Sequence, residues 1–208
     1  MTRQDRAERT RTAILDAAAE VFEERGFTGA SLSEILTRAG VTKGALYFHF
    51  SSKDDLAKAI IDEQWNIEVP RLEAVQSPMQ GLIDVCHAFG LNLCSNIRVR
   101  ASNRLVTEAN FAQPNPAVYE RWNKITYEFL VAAKEAGDLR AEFDPEAVSR
   151  WLGGSFLGIQ IMSGVLTNRA DLHERITDLF KISLPGLVPA RRLARFNPSG
   201  TIEWDKAA

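Results

Sequence analysis

Apolar residues return every three or four positions along most of the chain, and alternating stretches of the kind that form half-buried strands are nearly absent. The pattern predicts an all-α protein. Ile14, Ala17, Ala18, Val21 and Phe22 form one stripe, with Asp16, Glu20, Glu23 and Glu24 opposite, which predicts a first helix from Arg6 to Arg25 stopped by Gly26. Ser31 with Glu34 has the spacing of a capping box and opens a short second helix that Gly40 closes. Thr42 caps a third helix, Lys43 to His49, and Ser51 with Asp54 opens a long fourth that ends near Pro70. Five more helices are expected, at 78–95, 98–111, 115–136, 144–167 and 171–186. They are set apart by Asn96, by Gln113-Pro114-Asn115-Pro116, by Gly137, by Asp144-Pro145 and by a cap at Asp171. About nine helices result, with a loosely structured tail beyond Pro189.

The chain has 208 residues, 45% hydrophobic and 25% charged, ordinary for a globular domain or two. The uncharged run from Trp151 to Thr167 is too short for a bilayer span, is interrupted by Ser155, Gln160 and Ser163, and reads as a buried helix. No signal-type apolar stretch follows the charged start, so a cytoplasmic location without membrane partners is expected. Cys86 and Cys94 are eight residues apart on one expected helix, about 12 Å of rise, which is too far for a disulfide. They carry no ligand spacing, so neither a metal site nor a cofactor is expected. A net charge of −2 excludes a uniformly basic polyanion binder, and any nucleic-acid surface must be local.

Such a surface is offered by the second and third helices. Joined by Gly40-Val41-Thr42, they have the lengths and turn chemistry of a helix-turn-helix. Lys43, Gly44, Tyr47 and His49 supply the outer face of the third helix, while Val41, Leu46, Phe48 and Phe50 are expected to face the core. Thr42 and Lys53 would add phosphate donors, and Gly44 would let the backbone approach DNA closely. The first eleven residues carry Arg3, Arg6, Arg9 and Arg11 against Asp5 and Glu8, a local excess of two positive charges.

The run from Thr42 to Leu56, TKGALYFHFSSKDDL, strongly resembles the signature of TetR-family transcriptional regulators, a likeness that is close over residues 6 to 60. The segment Gly44 to Phe50, Asp62-Glu63-Gln64 and the ending Leu184-Pro185-Gly186-Leu187-Val188-Pro189 resemble the gamma-butyrolactone receptor subgroup. The resemblance implies a helix-turn-helix DNA-binding domain at 1–52, a helical effector-binding and dimerisation domain at 53–190 and a tail at 191–208. It implies a homodimeric repressor of antibiotic-producing soil bacteria that leaves double-stranded operator DNA when a diffusible lactone, butenolide or furan signal binds. Thr42, Lys43, Gly44, Tyr47, His49 and Lys53 would meet the operator. In such receptors a tryptophan on the helix after the proline-rich loop packs on the ligand, and Trp122 matches it. A relative answering an antibiotic, or no butyrolactone at all, is the alternative.

The rest of the ligand set follows from residue type. Trp65, Phe89, Tyr127 and Phe156 supply aromatic walls, and the amides of Gln64 and Gln160 would orient a lactone carbonyl or hydroxyl. The fourth helix, running from the DNA-binding motif to Gln64 and Trp65, is the expected lever between signal and DNA. Gly153, Gly154, Gly158 and Gly164 each cost about 1 kcal/mol in a helix interior, offset either by close packing across a two-fold axis in a four-helix bundle or by a place in a glycine-lined pocket wall. An enzyme is not expected. His49, His87 and His173 are placed far apart by this architecture, and neither a nucleophile elbow nor a phosphate loop occurs.

Overall fold

The structure is a computed structural model that describes residues 2–63, 70–108 and 116–204. Among these residues it contains nine α-helices and no strand: α1 Arg3–Gly29, α2 Leu32–Ala39, α3 Lys43–His49, α4 Lys53–Glu63, α5 Pro78–Ser95, α6 Ile97–Thr107, α7 Pro116–Glu135, α8 Pro145–Thr167 and α9 Leu172–Leu187. Two 3₁₀ segments, Leu72–Ala74 and Ala190–Arg195, were not foreshadowed by periodicity.

Local chemistry explains most of the ends. Thr2 and Asp5 form a reciprocal capping box that starts α1 three residues before the expected Arg6. Gly26 breaks its helical path at φ 68°, and a short last turn follows. Ser31 accepts from the Glu34 amide and Gly40 takes the left-handed conformation at φ 65°, as a short helix with a glycine stop requires. The start of α4 lies one residue beyond the expected cap: Ser52 Oγ accepts from the Asp55 amide, while Asp55 accepts from the Ser51 amide and hydroxyl. Asp144 caps α8 ahead of Pro145. Asp171 differs from expectation, because its carboxylate makes no cap bond to α9. It accepts instead from the Ser163 and Thr167 hydroxyls and pairs with Arg175, a set of donors that holds its pKa down to about 2. The expected end of the fourth helix near Pro70 falls partly outside the described residues.

The chain divides into two compact units, 1–67 with 95–115 and 68–94 with 116–208. In the first, α1 packs on α2, α4 and α6, around Ile14, Leu15, Phe22, Ile35, Leu46, Leu56, Ile60 and Leu105. Arg38 ties α2 to α1 through Glu20 and Glu24. Arg98 holds α6 to Asp16, and Arg104 donates to the Glu23 carbonyl oxygen. The Glu108 carboxylate accepts from the Phe27 amide and occupies the space a side chain at Gly26 would need. The first unit therefore does not stop at residue 52, because α4 and α6 complete the core that α1 opens.

In the second unit α7 packs on α8 and α8 on α9. Residues 190–204 belong to this unit and do not form a loose tail. Arg192 pairs with the nearly buried Asp138, and Phe196 and Gly200 are buried. Gln80 clasps Asn197 at both its amide and its carbonyl, and Asp84 accepts from the Thr201 amide and hydroxyl. This C-terminal strap brings His87 and His173 together, with ring centroids 5.0 Å apart and Trp204 beside both, where separation was expected.

Candidate nucleic-acid interface and effector site

The turn between α2 and α3 presents the reading surface of the first unit. Thr42 Oγ1 accepts from the Ala45 amide, so the residue expected to touch phosphate is also the N-cap that shapes α3. Lys43 is exposed and its ammonium lies 5.8 Å from the Tyr47 ring centroid, leaving charge and phenol on one outer face. Gly44 is exposed, and a side chain there would meet nothing within 4 Å. No contact within the protein demands a glycine there. Tyr47 is 46% exposed, and His49 is half-buried at the end of α3.

Two expectations change. Phe48 does not face the core: it is 75% exposed, while Leu46 and Phe50 are buried and Arg11 sits over the Phe50 ring. In a helix of seven residues the inward stripe holds Leu46 and then Phe50 just past the end, and Phe48 projects away from both. Lys53 turns inward, its ammonium donating to the carbonyl oxygens of Phe27 and Ala30. Its charge closes the end of α1 rather than standing free for phosphate.

In the second unit three of the expected ligand residues meet. Phe89 of α5, Trp122 of α7 and Phe156 of α8 form a closed triangle, with centroids 5.3 Å apart for Phe89 and Trp122, 5.9 Å for Phe89 and Phe156 and 5.3 Å for Trp122 and Phe156. Gln160 is one turn beyond Phe156 on the same face of α8 and is buried. Beneath Trp122, Thr126 Oγ1 and Ser149 Oγ lie 2.6 Å apart, a buried hydroxyl pair that locks α7 to α8. Tyr127 does not join this group. It is 43% exposed, because five residues carry it about 140° round the helix from Trp122. Gln64 and Trp65 lie outside the described residues, and with them the expected lever's far end.

The run read as a buried helix has a bare apolar side, on the helix whose glycines suggest packing across a two-fold axis. Trp151, Ile161, Met162, Val165 and Leu166 of α8 and Ile182 of α9 are exposed, the last 80%. The uncharged helix is thus buried on one side only. An open groove of about 480 Å³ between Phe143, Val148, Trp151, Ile182 and Leu187 continues this surface. Gly154 and Gly158 are exposed on α8 with open space where a side chain would be, while Gly153 is explained inside the chain by Asn123 and Trp122. Among the described residues no group of three or more histidine, cysteine or acidic side chains is arranged to hold a metal ion, and no helix is long and apolar enough to cross a membrane.

A helix-turn-helix with a cationic and aromatic outer face, on a chain whose other unit holds an aromatic cluster under a bare apolar surface, defines a DNA-binding transcriptional regulator that senses a small molecule. Residues 14–60 match the model of the bacterial regulatory proteins of the tetR family, and residues 76–189 match the tetracyclin repressor-like C-terminal domain. The chain belongs to the tetR family. It is a regulator, not an enzyme, and its partners are operator DNA, a small-molecule effector and a second copy of itself. It is 38% identical over 204 residues to the A-factor receptor protein of Streptomyces griseus, covering 98% of this chain and 72% of that one. It is similar to full-length TylP, a tetR regulator from Streptomyces fradiae, at a TM-score of 0.77 and 37% identity over 95% of this chain and 87% of that one. The likeness to a gamma-butyrolactone receptor described as ArpA-like has a TM-score of 0.77 at 34% identity, over 93% and 96% of the two chains.

Proposed function

We propose that this protein is a receptor-repressor for a gamma-butyrolactone, butenolide or furan signal, controlling genes of antibiotic or other secondary metabolism from the cytoplasm. The observation that carries this reading is the 38% identity to the A-factor receptor protein across nearly the whole of this chain, joined to the Phe89, Trp122 and Phe156 triangle on the helices where an effector is expected. A flat, weakly polar lactone ring suits an aromatic site with the buried amide of Gln160 to fix its carbonyl. The triangle is closed on itself, so an effector enters by prising Trp122 from Phe89 or Phe156, and binding energy goes into a change of conformation.

Operator contact falls to Thr42, Lys43, Gly44, Tyr47 and His49. The apolar surface of α8 and α9 pairs with its copy in the partner subunit, giving two reading helices for half-sites one or more turns of DNA apart, about 34 Å each. Gly154 and Gly158 let the two α8 helices approach closely. The test is fluorescence anisotropy of the purified chain on the DNA upstream of its own gene, at fixed salt, with synthetic butyrolactone, butenolide and furan ligands. Release by one ligand class is expected. Tight binding indifferent to all three overturns the signal assignment and points to an antibiotic or an unrelated metabolite.

A further inference from the structure

Among the described residues of the first unit the exposed large hydrophobic side chains are Tyr47 and Phe48. Tyr47 has a hydroxyl to offer and Lys43 beside it; Phe48 has only a hydrocarbon ring, 75% exposed, standing edge-to-face on His49 with centroids 4.9 Å apart. A bare phenyl ring in water is unfavourable, and it makes no bond to a phosphate. It is also isolated among polar neighbours, with Lys43, Gly44 and His49 around it on α3, so it is not the contiguous patch that a protein partner covers. The apolar features that the major groove of DNA offers to a helix are single groups, the 5-methyls of thymine.

We propose that Phe48 reads thymine in the major groove by packing its ring against the 5-methyl group, and so specifies sequence where Lys43 and Tyr47 supply position. This rests on the assignment of α3 as the reading helix. Gly44, one turn earlier, brings the helix close enough for a short side chain to reach the base edges.

The experiment first enriches a duplex from a random-sequence pool with the full-length protein. Each thymine of one half-site is then replaced singly by deoxyuridine, which removes the methyl and leaves base pairing and phosphates intact. Wild type is expected to lose about fourfold in affinity at one or two positions, the worth of one buried methyl group. Phe48→Ala binds the parent duplex more weakly and is indifferent to those same replacements, and Phe48→Leu keeps part of the sensitivity. The proposal is overturned if wild type is indifferent to every replacement, or if both variants lose as much as wild type at each. If no duplex is enriched at all, the reading-helix assignment itself falls and the proposal with it.

Discussion

The Lys53 ammonium lies 2.8 Å from the carbonyl oxygen of Phe27 and 4.4 Å from the centroid of the Phe27 ring. A second bond, to the Ala30 carbonyl at 3.0 Å, makes it a clamp between the start of α4 and the end of α1. The end of a helix carries unpaired carbonyls and partial negative charge, so a cation there is stabilising. Lys53→Met is expected to cost about 1–2 kcal/mol in denaturant unfolding. It should leave the salt dependence of DNA binding unchanged, whereas Lys43→Ala should reduce the slope by about one phosphate contact per protomer. Equal reductions in slope would return Lys53 to the DNA surface.

Trp122 makes both short sides of the aromatic triangle. Trp122→Ala is expected to keep operator affinity within about threefold and abolish the response to effector, because the ring is remote in sequence from every residue of the reading surface and is the one the proposed entry of an effector displaces. Anisotropy titration with and without ligand measures both properties. Loss of DNA binding in a variant that melts cooperatively would give Trp122 a structural part instead.

The reach of the sequence follows from how far apart interacting residues are. Ser31, Gly40 and Thr42 act on amides and carbonyls within a few positions, so the helix-turn-helix could be placed to the residue. Phe48 could not, since fewer than two turns of helix do not define a face and an apolar ring in the pattern reads as core. The strap was invisible for another reason. Thr201 meets Asp84 across 117 residues, and periodicity carries no information on such pairs. The bare side of α8 was legible only through its glycines, because composition does not distinguish a core inside the chain from one completed by a second copy.

That second copy makes a sharp prediction. Val165 and Ile182 are both 80% exposed, so a charge at either position disturbs almost nothing inside the protomer. Val165→Glu with Ile182→Glu is expected to give a folded monomer by sedimentation equilibrium, with helical content retained and operator affinity reduced at least about a hundredfold. A dimer that survives both charges would place the interface on another surface.

The two thiols differ in reactivity. Burial pushes the Cys86 thiol far above its ordinary pKa, whereas Cys94 is exposed. Native protein treated with iodoacetamide at neutral pH is expected to take one label, at Cys94, and denatured protein two, as read by peptide mass spectrometry. Labelling of Cys86 at a comparable rate would show that α5 opens readily.

The strap gives stability a dependence on pH. His87 is fully buried, its Nε2 donates to the Pro198 carbonyl, and its Nδ1 has no partner. A proton on Nδ1 would bury an unpaired N–H and a charge beside the His173 ring, against which Asp84, already engaged by Thr201 and Gln80, offers only partial relief. Burial, and then His173, hold the His87 pKa below the ordinary 6.5, while the Pro198 bond and Asp84 oppose the shift. Above pH 6.5 neither the folded nor the unfolded chain carries this proton and stability is flat with respect to it. As pH falls below 6.5 the unfolded chain takes up a proton that the native protein refuses, so stability declines until the native value is passed. His87→Gln retains a donor for Pro198 and removes the titration. Thermal midpoints measured from pH 7.5 to 5 should fall more steeply for wild type than for this variant, and parallel curves would show that His87 takes up its proton in the folded protein as readily as in the unfolded chain.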